Sequence, residues 1–223
     1  MAEFETIRMD VMTTEVHSKY FPLELNASAD AWRMFSTRKA DVNFKSFEKK
    51  VFERDEYTCR FCGFQSNQYQ EVVNIDRNFR HNKIDNLATS CIFCTQCFFL
   101  ESIGVGGFGG GILIYLPELT QGEINSICHV IFCAISSNSA YKSIAQNIYL
   151  NFKLRSSLIE AKFGEGSSDP ANFGHLLIDA RQQDPDKIKK MMEGIRLLPS
   201  RAKFRTQIES WAATAIQDIH KPK

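Results

Sequence analysis

The sequence lacks the features of an exported or membrane-embedded chain. Its first residues, MAEFETIRMD, contain neither an apolar core nor a small-residue cleavage motif. No run of about 18 uncharged apolar residues is present. The nearest approach, Phe98 to Leu116, is interrupted by Glu101 and by several glycines. We therefore expect a cytoplasmic protein with no direct membrane span.

A basic excess is also missing. The chain has 27 Lys and Arg against 26 Asp and Glu, a net charge of +1. Proteins that hold a long stretch of duplex usually carry a clear positive excess, because neutralising phosphates dominates their affinity. We therefore expect no nucleic-acid partner.

Cysteines are present, and their spacing points to metal binding. Without export signals, thiols are expected to stay reduced, and closely spaced ones favour metal or redox chemistry over disulfides. Two Cys-x-x-Cys pairs, Cys59–Cys62 and Cys91–Cys94, are separated by 28 residues. Two such turns can complete a tetrahedral thiolate cage around one Zn²⁺, with Zn–S distances of about 2.3 Å. Four thiolates leave no open coordination position, so the ion is expected to be structural.

The remaining cysteines leave alternatives open. Cys94 and Cys97 also form a Cys-x-x-Cys pair. Cys97 is therefore either a spare thiol, which we favour, or an alternative ligand in place of Cys91 or Cys94. A redox switch that uses Cys94 and Cys97 is a further alternative. Cys128 and Cys133 lie in an apolar helical pattern and are expected to be small buried hydrophobes.

The chain divides into three regions by pattern. Residues 1–40 form a loosely regular N-terminal segment, residues 41–119 contain the cysteines, and residues 120–223 are largely helical. Thr120 and Glu123 make a capping-box pair ahead of an apolar run, which predicts a helix start. The predicted fold class is α+β, with a small zinc-bound core and a largely α-helical C-terminal half. Either one cooperative unit or a boundary near 117–120 fits this pattern.

Periodicity predicts which faces of these elements are buried. A short strand is expected at 112–116, where ILIYL follows the glycine-rich stretch. The expected helical stripes are Phe44, Phe47 and Val51; Ile124, Ile127, Cys128, Ile131 and Ile135; Tyr141, Ile144, Ala145, Ile148 and Phe152; and Phe204, Ile208, Trp211, Ala215 and Ile219.

Phenylalanines cluster around the cysteine pairs. They are Phe61, Phe64, Phe93, Phe98 and Phe99. We favour packing of the cysteine region against the helical half. A hydrophobic groove for a partner peptide is the alternative.

Three segments resemble the HNH endonuclease (ββα-metal) family: YTCRFCG at 57–63, EVVNIDRN at 71–78 and DNLATSCIFCTQ at 85–96. The resemblance covers about 40 residues and implies an HNH-like core. Members of that family place Asp-His at the end of a strand between the cysteine pairs, and His or Asn after the second pair.

This chain departs from the HNH pattern at the residues that carry the chemistry. It has Val73-Asn74 in place of Asp-His, and Thr95 after the second pair. Asn cannot accept a proton at neutral pH, and Val cannot ligate a metal. We therefore expect no catalytic residues and no enzyme activity. The alternative is an HNH-type metal-dependent nuclease or DNA-binding protein that uses His81 as its base, although we expect His81 to be a surface residue.

The whole chain also resembles a subunit family of the Dot/Icm type IVB secretion system. The matching features are the degenerate cysteine pairs with Asn74, the GVGGFGGG–ILIYLPELT join at 104–120, and the helical stretch at 124–146. The resemblance implies a non-catalytic adaptor in the coupling complex, peripheral to the inner-membrane machinery. Such a subunit binds the C-terminal extension of the coupling ATPase DotL, alongside DotM and IcmS–IcmW, and helps to recruit effector substrates.

Overall fold

The computed structural model describes residues 20–181 and 185–219, which form a mixed helix-and-strand fold. The helices in these ranges are α1 (Ala31–Ala40), α2 (Val42–Arg54), α3 (Ile92–Thr95), α4 (Gln121–Ser136), α5 (Lys142–Leu154), α6 (Ser157–Phe163), α7 (Pro170–Arg181), α8 (Pro185–Met192) and α9 (Arg205–Ile219). The strands are β1 (Gln70–Asn74), β2 (Leu87–Cys91), β3 (Gly111–Tyr115) and β4 (Ile195–Pro199). The α+β class is confirmed.

The first sheet lies between the two cysteine pairs. Strands β1 and β2 pair antiparallel, with Val73 opposite Ala88 and Asn74 opposite Leu87. Helix α2 packs on this hairpin through Phe44 and Val51. Phe47, which periodicity placed on the same buried stripe, is instead 42% exposed. It stacks on the outer side of Phe44, so this part of the prediction was wrong.

The second sheet joins distant parts of the chain. The predicted strand at 112–116 is confirmed as β3, which pairs antiparallel with β4. Sequence patterns did not reveal β4, because its five residues, IRLLP, show no alternation and end in a proline. Residues 111–115, assigned by pattern to the cysteine-containing region, therefore form their sheet with the C-terminal region.

Helix α4 is central to the molecule. Its predicted capping box is present: the Thr120 side chain accepts a hydrogen bond from the backbone of Glu123, whose carboxylate accepts one from the backbone of Thr120. The helix packs against α5, α9 and β4. Among its buried residues are three polar ones at spacings of four, Gln121, Asn125 and His129. Helical spacing of four places them on one face.

Two other helices differ from the predicted stripes. In α5 the inward residues are Ala145, Tyr149 and Phe152. Tyr141 and Ile144 are 69% and 60% exposed, and Ile148 is exposed as well, so that stripe was wrong in these members.

The buried stripe predicted for residues 204–219 is confirmed at its first three positions. Phe204, Ile208 and Trp211 are buried, but Ala212 is buried in place of Ala215. The side chain of Ile219 lies outside the described residues.

The N-terminal segment is more regular than predicted, because residues 31–40 form α1. Residues 1–19 lie outside the described ranges. Within those ranges, no helix combines the length and apolar character needed to cross a membrane.

Candidate metal centre

Four cysteines converge from one turn, one strand end and one short helix. Cys59 and Cys62 lie on the turn after α2, Cys91 ends β2, and Cys94 lies in α3. Their Sγ atoms all lie within 4.8 Å of one another, and all four residues are buried. The Sγ atoms of Cys62 and Cys91 are 3.6 Å apart. A tetrahedral zinc–thiolate cage places its sulfurs about 3.8 Å apart, so this group could hold a metal ion.

The first turn is shaped by Gly63. Its N–H donates to the carbonyl of Cys59 at 3.0 Å, and the N–H of Cys59 donates to the carbonyl of Phe64 at 2.9 Å. Gly63 has φ of +77°, and a Cβ there would lie 2.5 Å from the hydroxyl of Tyr20. The left-handed backbone is what favours glycine here, since the end of the Tyr20 side chain could shift to admit a Cβ.

The electrostatics of the group favour a divalent cation. Burial, together with hydrogen bonds to Cys59 and Cys62, raises the pKa of the Cys91 and Cys94 thiols well above the usual range. Four thiolates at this spacing would repel one another in a buried site. A bound cation supplies the compensating charge and lets all four ionise.

Helix α4 supplies two polar contacts to this centre. Asn125 donates from Nδ2 to the Sγ of Cys94 at 3.2 Å. Nε2 of His129, one turn further along, lies 3.2 Å from the Sγ of Cys91. N–H donors to ligand sulfurs orient the thiolates and disperse their charge. The cysteine spacing does not point to these two residues, although their shared spacing of four on an apolar helix face was a signal.

The His129 ring is enclosed by aromatic side chains. It stacks on Phe64 with ring centroids 3.6 Å apart and on Phe93 at 4.2 Å, while Trp211 meets its edge at 4.9 Å. Burial lowers the pKa of His129 to about 3, so the ring is neutral. A neutral ring has one N–H, and if Cys91 is a metal-bound thiolate, its sulfur accepts that proton's hydrogen bond from Nε2.

The other cysteines lie outside this group. Cys97 is buried, its thiol donates to the carbonyl of Phe93 at 3.4 Å, and Asn125 Nδ2 is 3.9 Å from its sulfur. Burial raises the pKa of Cys97 and Cys128 far above the usual range, and raises that of Cys133 to about 11. All three are therefore protonated thiols at neutral pH.

A buried arginine occupies the end of β1. Arg38, from α1, donates from Nη1 to the Oδ1 atoms of Asn74 and Asn82, the latter at 2.9 Å. Its Nη2 donates to the carbonyl of Val72 at 2.6 Å. The amide Nδ2 of Asn74 donates to the carbonyl of His81 at 2.8 Å. Asn74 is therefore saturated by these contacts and fully buried.

Aromatic rings pack around the Arg38 guanidinium, in addition to the hydrogen bonds at its edges. Its carbon lies 4.3 Å from the ring centroid of Phe44 and 5.6 Å from those of Phe35 and Phe79. Burial lowers the pKa of Arg38 to about 10, an effect opposed by Glu48 and Glu71. Arg38 remains charged at neutral pH and places a fixed cation beside Asn74.

His81 lies in the loop after β1 and is about 40% exposed. Its Nδ1 is 2.7 Å from Oδ2 of Asp76, whose Oδ1 accepts from Asn86 Nδ2 at 2.8 Å. Burial acts to raise the pKa of the Asp76 carboxyl. Hydrogen bonds from His81 and Asn86 outweigh this effect and hold that pKa below its usual range. An oriented histidine–carboxylate pair is therefore present, although it does not contact the cysteine group.

The phenylalanines near the cysteines pack inward. Phe61, Phe93, Phe98 and Phe99 are buried, and Phe64 is half-buried against His129 and Trp211. They join the cysteine turns to α4 and α9 in one hydrophobic cluster.

No protein-family model matches this chain. It is 59% identical over 197 residues to the type 4 apparatus protein DotN of Legionella pneumophila subsp. pneumophila. That alignment covers 88% of this chain and 92% of the relative. Identity at this level over nearly the full length of both sequences shows common descent and a shared fold. The chain therefore belongs to the DotN family.

Proposed function

We propose that this chain is a non-catalytic adaptor subunit of a type 4 secretion apparatus. In this proposal it binds the C-terminal extension of the coupling ATPase DotL, in an assembly with DotM and IcmS–IcmW, and helps to recruit effector substrates. It acts on the cytoplasmic side, peripheral to the membrane machinery. The relative's description as a type 4 apparatus protein supports the setting.

We further propose that the bound ion is one structural Zn²⁺, held by Cys59, Cys62, Cys91 and Cys94. Soft thiolates select zinc among the common divalent ions, and a closed four-sulfur cage cannot activate water. The ion then fixes the two turns against α4 through the contacts of Asn125 and His129. Zinc here supports the fold rather than a reaction.

The single observation that carries the non-catalytic part is the Arg38–Asn74 contact. If residues 57–96 form a degenerate HNH core, Asn74 stands where the general base would act. Its amide has no proton-accepting nitrogen, and its oxygen accepts a hydrogen bond from a buried cation. A fixed guanidinium at this point also disfavours a second, catalytic cation by charge repulsion. These contacts support the proposal of a non-catalytic subunit.

Complex formation with the purified C-terminal extension of the coupling ATPase tests the adaptor function. We expect the full chain and the extension to co-elute from a size-exclusion column at micromolar concentrations. The Cys91→Ser variant is expected to lose this complex because the fold around the cysteines loosens. Separate elution of the wild-type chain and the extension would contradict the proposal.

A nuclease remains the second candidate function, favoured by one observation. Asp76 orients an exposed histidine, His81, as it would orient a general base. We expect no nicking of plasmid DNA in the presence of Mg²⁺ or Mn²⁺. Nicking that His81→Ala abolishes, while the matched variant His175→Ala retains it, would establish the nuclease instead.

A further inference from the structure

Two buried side-chain amides connect the sheet of β3 and β4 to the cysteine group. They belong to Gln121 and Asn125 of α4, which are 2% and 0% exposed. Gln121 bonds the backbone of Leu197 in β4, and Asn125 bonds the sulfur of Cys94. Side chains four residues apart lie on the same helix face, so the two amides can also bond each other. We call Gln121 and Asn125 the amide relay.

The backbone of Leu197 fixes the orientation of the Gln121 amide. Leu113, the residue opposite Leu197, donates its N–H to Ser168, so Leu197 directs its own backbone groups away from β3. The N–H of Leu197 donates to Oε1 of Gln121, and Nε2 of Gln121 donates to the Leu197 carbonyl, at 2.8 Å each. A reversed amide would set donor against donor and acceptor against acceptor. The observed orientation is therefore the one that satisfies both groups.

The orientation of Gln121 in turn fixes that of Asn125. Nε2 of Gln121 also donates to Oδ1 of Asn125 at 3.0 Å. Because Oδ1 is held there, Nδ2 of Asn125 faces the cysteines, 3.2 Å from the Sγ of Cys94 and 3.9 Å from that of Cys97. A flipped Asn125 would set its oxygen against the Cys94 sulfur and its amide nitrogen against that of Gln121. The backbone of β4 therefore determines that Cys94 faces an N–H donor.

The contact at Cys91 has no comparable support. Nε2 of His129 lies 3.2 Å from the Sγ of Cys91, but the other ring nitrogen, Nδ1, has no hydrogen-bond partner among the described residues. Side chains that bond metal ligands are commonly held in turn by a further hydrogen bond. Of these two α4 side chains, Asn125 is the one that is held in this way.

We propose that Gln121 and Asn125 are positioning residues for the metal centre, through which β4 holds an N–H donor against the Cys94 thiolate. An N–H donor draws charge from a ligating thiolate and stabilises it in the buried cage. Coupling between two sites is reciprocal, so a bound ion also stabilises the contact of Gln121 with β4. The inference rests on the proposed zinc site, because it concerns the residues that support that ion.

Two variants with matched controls test the amide relay by zinc affinity, measured in competition with a chromogenic chelator. Asn125→Leu nearly keeps the side-chain volume but removes the donor, and should weaken zinc binding at least about tenfold. Gln121→Met leaves Asn125 in place but removes the group that orients it, and should weaken zinc binding at least about threefold. The controls Asn147→Leu and Gln146→Met change exposed residues of α5 and should stay within about twofold of the wild type.

Substitution with Co²⁺ separates positioning from a general loss of stability. The energy of the sulfur-to-cobalt charge-transfer band depends on the charge at sulfur. Loss of an N–H donor leaves the sulfur more electron-rich, so the band of both relay variants should move to longer wavelength, while those of the controls stay in place. A weaker fold alone would lower the affinity without moving the band.

Two results would contradict the proposal in distinguishable ways. Unmoved bands, or a wild-type zinc affinity in Gln121→Met, would overturn the role of the amide relay and leave the zinc site standing. A wild-type chain that binds no stoichiometric metal would overturn the zinc site and the role of the relay together.

Hydrogen exchange on the wild-type chain gives a further readout that needs no variant. Zinc removal should speed exchange of the Leu197 amide, which is bonded to Gln121, at least about tenfold more than that of the Leu113 amide, which is bonded to Ser168 in the same sheet. Equal acceleration of both amides would show that the relay does not connect the ion to β4, and would overturn the proposal.

Discussion

At the scale of single residues, Arg38 shows how one long-range contact can fix the hydrogen bonding of a buried site. It is 8% exposed and reaches from α1 to the end of β1, where it bonds two asparagine side chains and one backbone carbonyl. Buried charges are tolerated when most of their donors are satisfied, as at both terminal nitrogens here, although the buried Nε has no partner among the described residues. The same contacts commit the oxygen of Asn74 to a structural role.

Replacing Arg38 with alanine is expected to lower the free energy of unfolding by about 3 kcal/mol, because buried acceptors lose a charged donor. Arg33, on the same helix, makes an exposed ion pair with Asp30. Arg33→Ala should cost less than about 1 kcal/mol. Urea denaturation of the two variants measures the difference, and equal losses would contradict a structural role for Arg38.

Serine substitutions should distinguish the four cysteines that bind the metal from the other buried cysteines. Cys59→Ser and Cys91→Ser are expected to bind no stoichiometric zinc and to melt well below the wild type, because metal binding and local folding are linked. Cys128→Ser should keep its zinc and lose only about 1–3 kcal/mol, since it buries a hydroxyl. Elemental analysis and thermal melts test this assignment, and the same loss in all three variants would refute it.

The sequence indicates the four cysteines because their spacing is a local signal. It does not reveal the three residues that contact Asn74 or the cysteines from far along the chain. Arg38 contacts Asn74 across 36 residues, Asn125 contacts Cys94 across 31, and His129 contacts Cys91 across 38. Such contacts depend on how the helices pack against one another. A short sequence motif does not contain this information. At position 74 the sequence shows only an asparagine where the HNH pattern would have histidine.

At the scale of elements, close helix contacts depend on small residues. Helix α7 approaches the turn at residues 100–102 through Gly174. A Cβ there would lie 2.4 Å from the backbone nitrogen of Glu101 and 2.8 Å from its Cα. Backbone atoms cannot move aside as a flexible side chain can, so this approach requires glycine.

Gly174→Ala therefore has two opposing effects on stability: a gain from helix propensity and a loss from overpacking. In an open helix, alanine would stabilise by about 1 kcal/mol relative to glycine. Here we expect a net loss of about 2–3 kcal/mol from overpacking. Gly107→Ala, where φ is +81° and the space is open, should cost only about 1 kcal/mol. A Gly174→Ala protein more stable than the wild type in urea melts would contradict the close approach.

Elements with strong local signals are predictable from the sequence, and those formed by distant pairing are not. The capping box fixes the start of α4, and its side-chain hydrogen bonds lie within one turn. Strand β4 exists because β3 pairs with it from about 80 residues away. The periodicity of α5 was misleading because apolar residues lie on more than one face of that helix. Which of them are buried depends on packing against α4.

At the scale of the whole molecule, α4 ties the cysteine turns to the helical half. Trp211 of α9 contacts Phe64, Phe93 and His129, so an aromatic cluster spans both regions. Packing that is shared in this way predicts one cooperative unfolding transition rather than two.

Metal removal tests this coupling. A Trp32→Phe background leaves Trp211 as the only tryptophan. A zinc chelator should lower the melting temperature by more than about 10 °C, because the binding energy of a structural zinc is folding energy. Trp211 fluorescence and helical circular dichroism should change together. Loss of the fluorescence signal while the helices stay folded would show that the two halves unfold independently.

The guanidinium beside Asn74 also bears on how this protein can evolve. A single codon change that placed histidine at position 74 would press an imidazole against a positive charge and break the bond from Arg38 to Asn74. A histidine there would need a second change at position 38 in α1 to relieve that contact. Each change made alone would cost stability, which links the amino acids that positions 38 and 74 can accept.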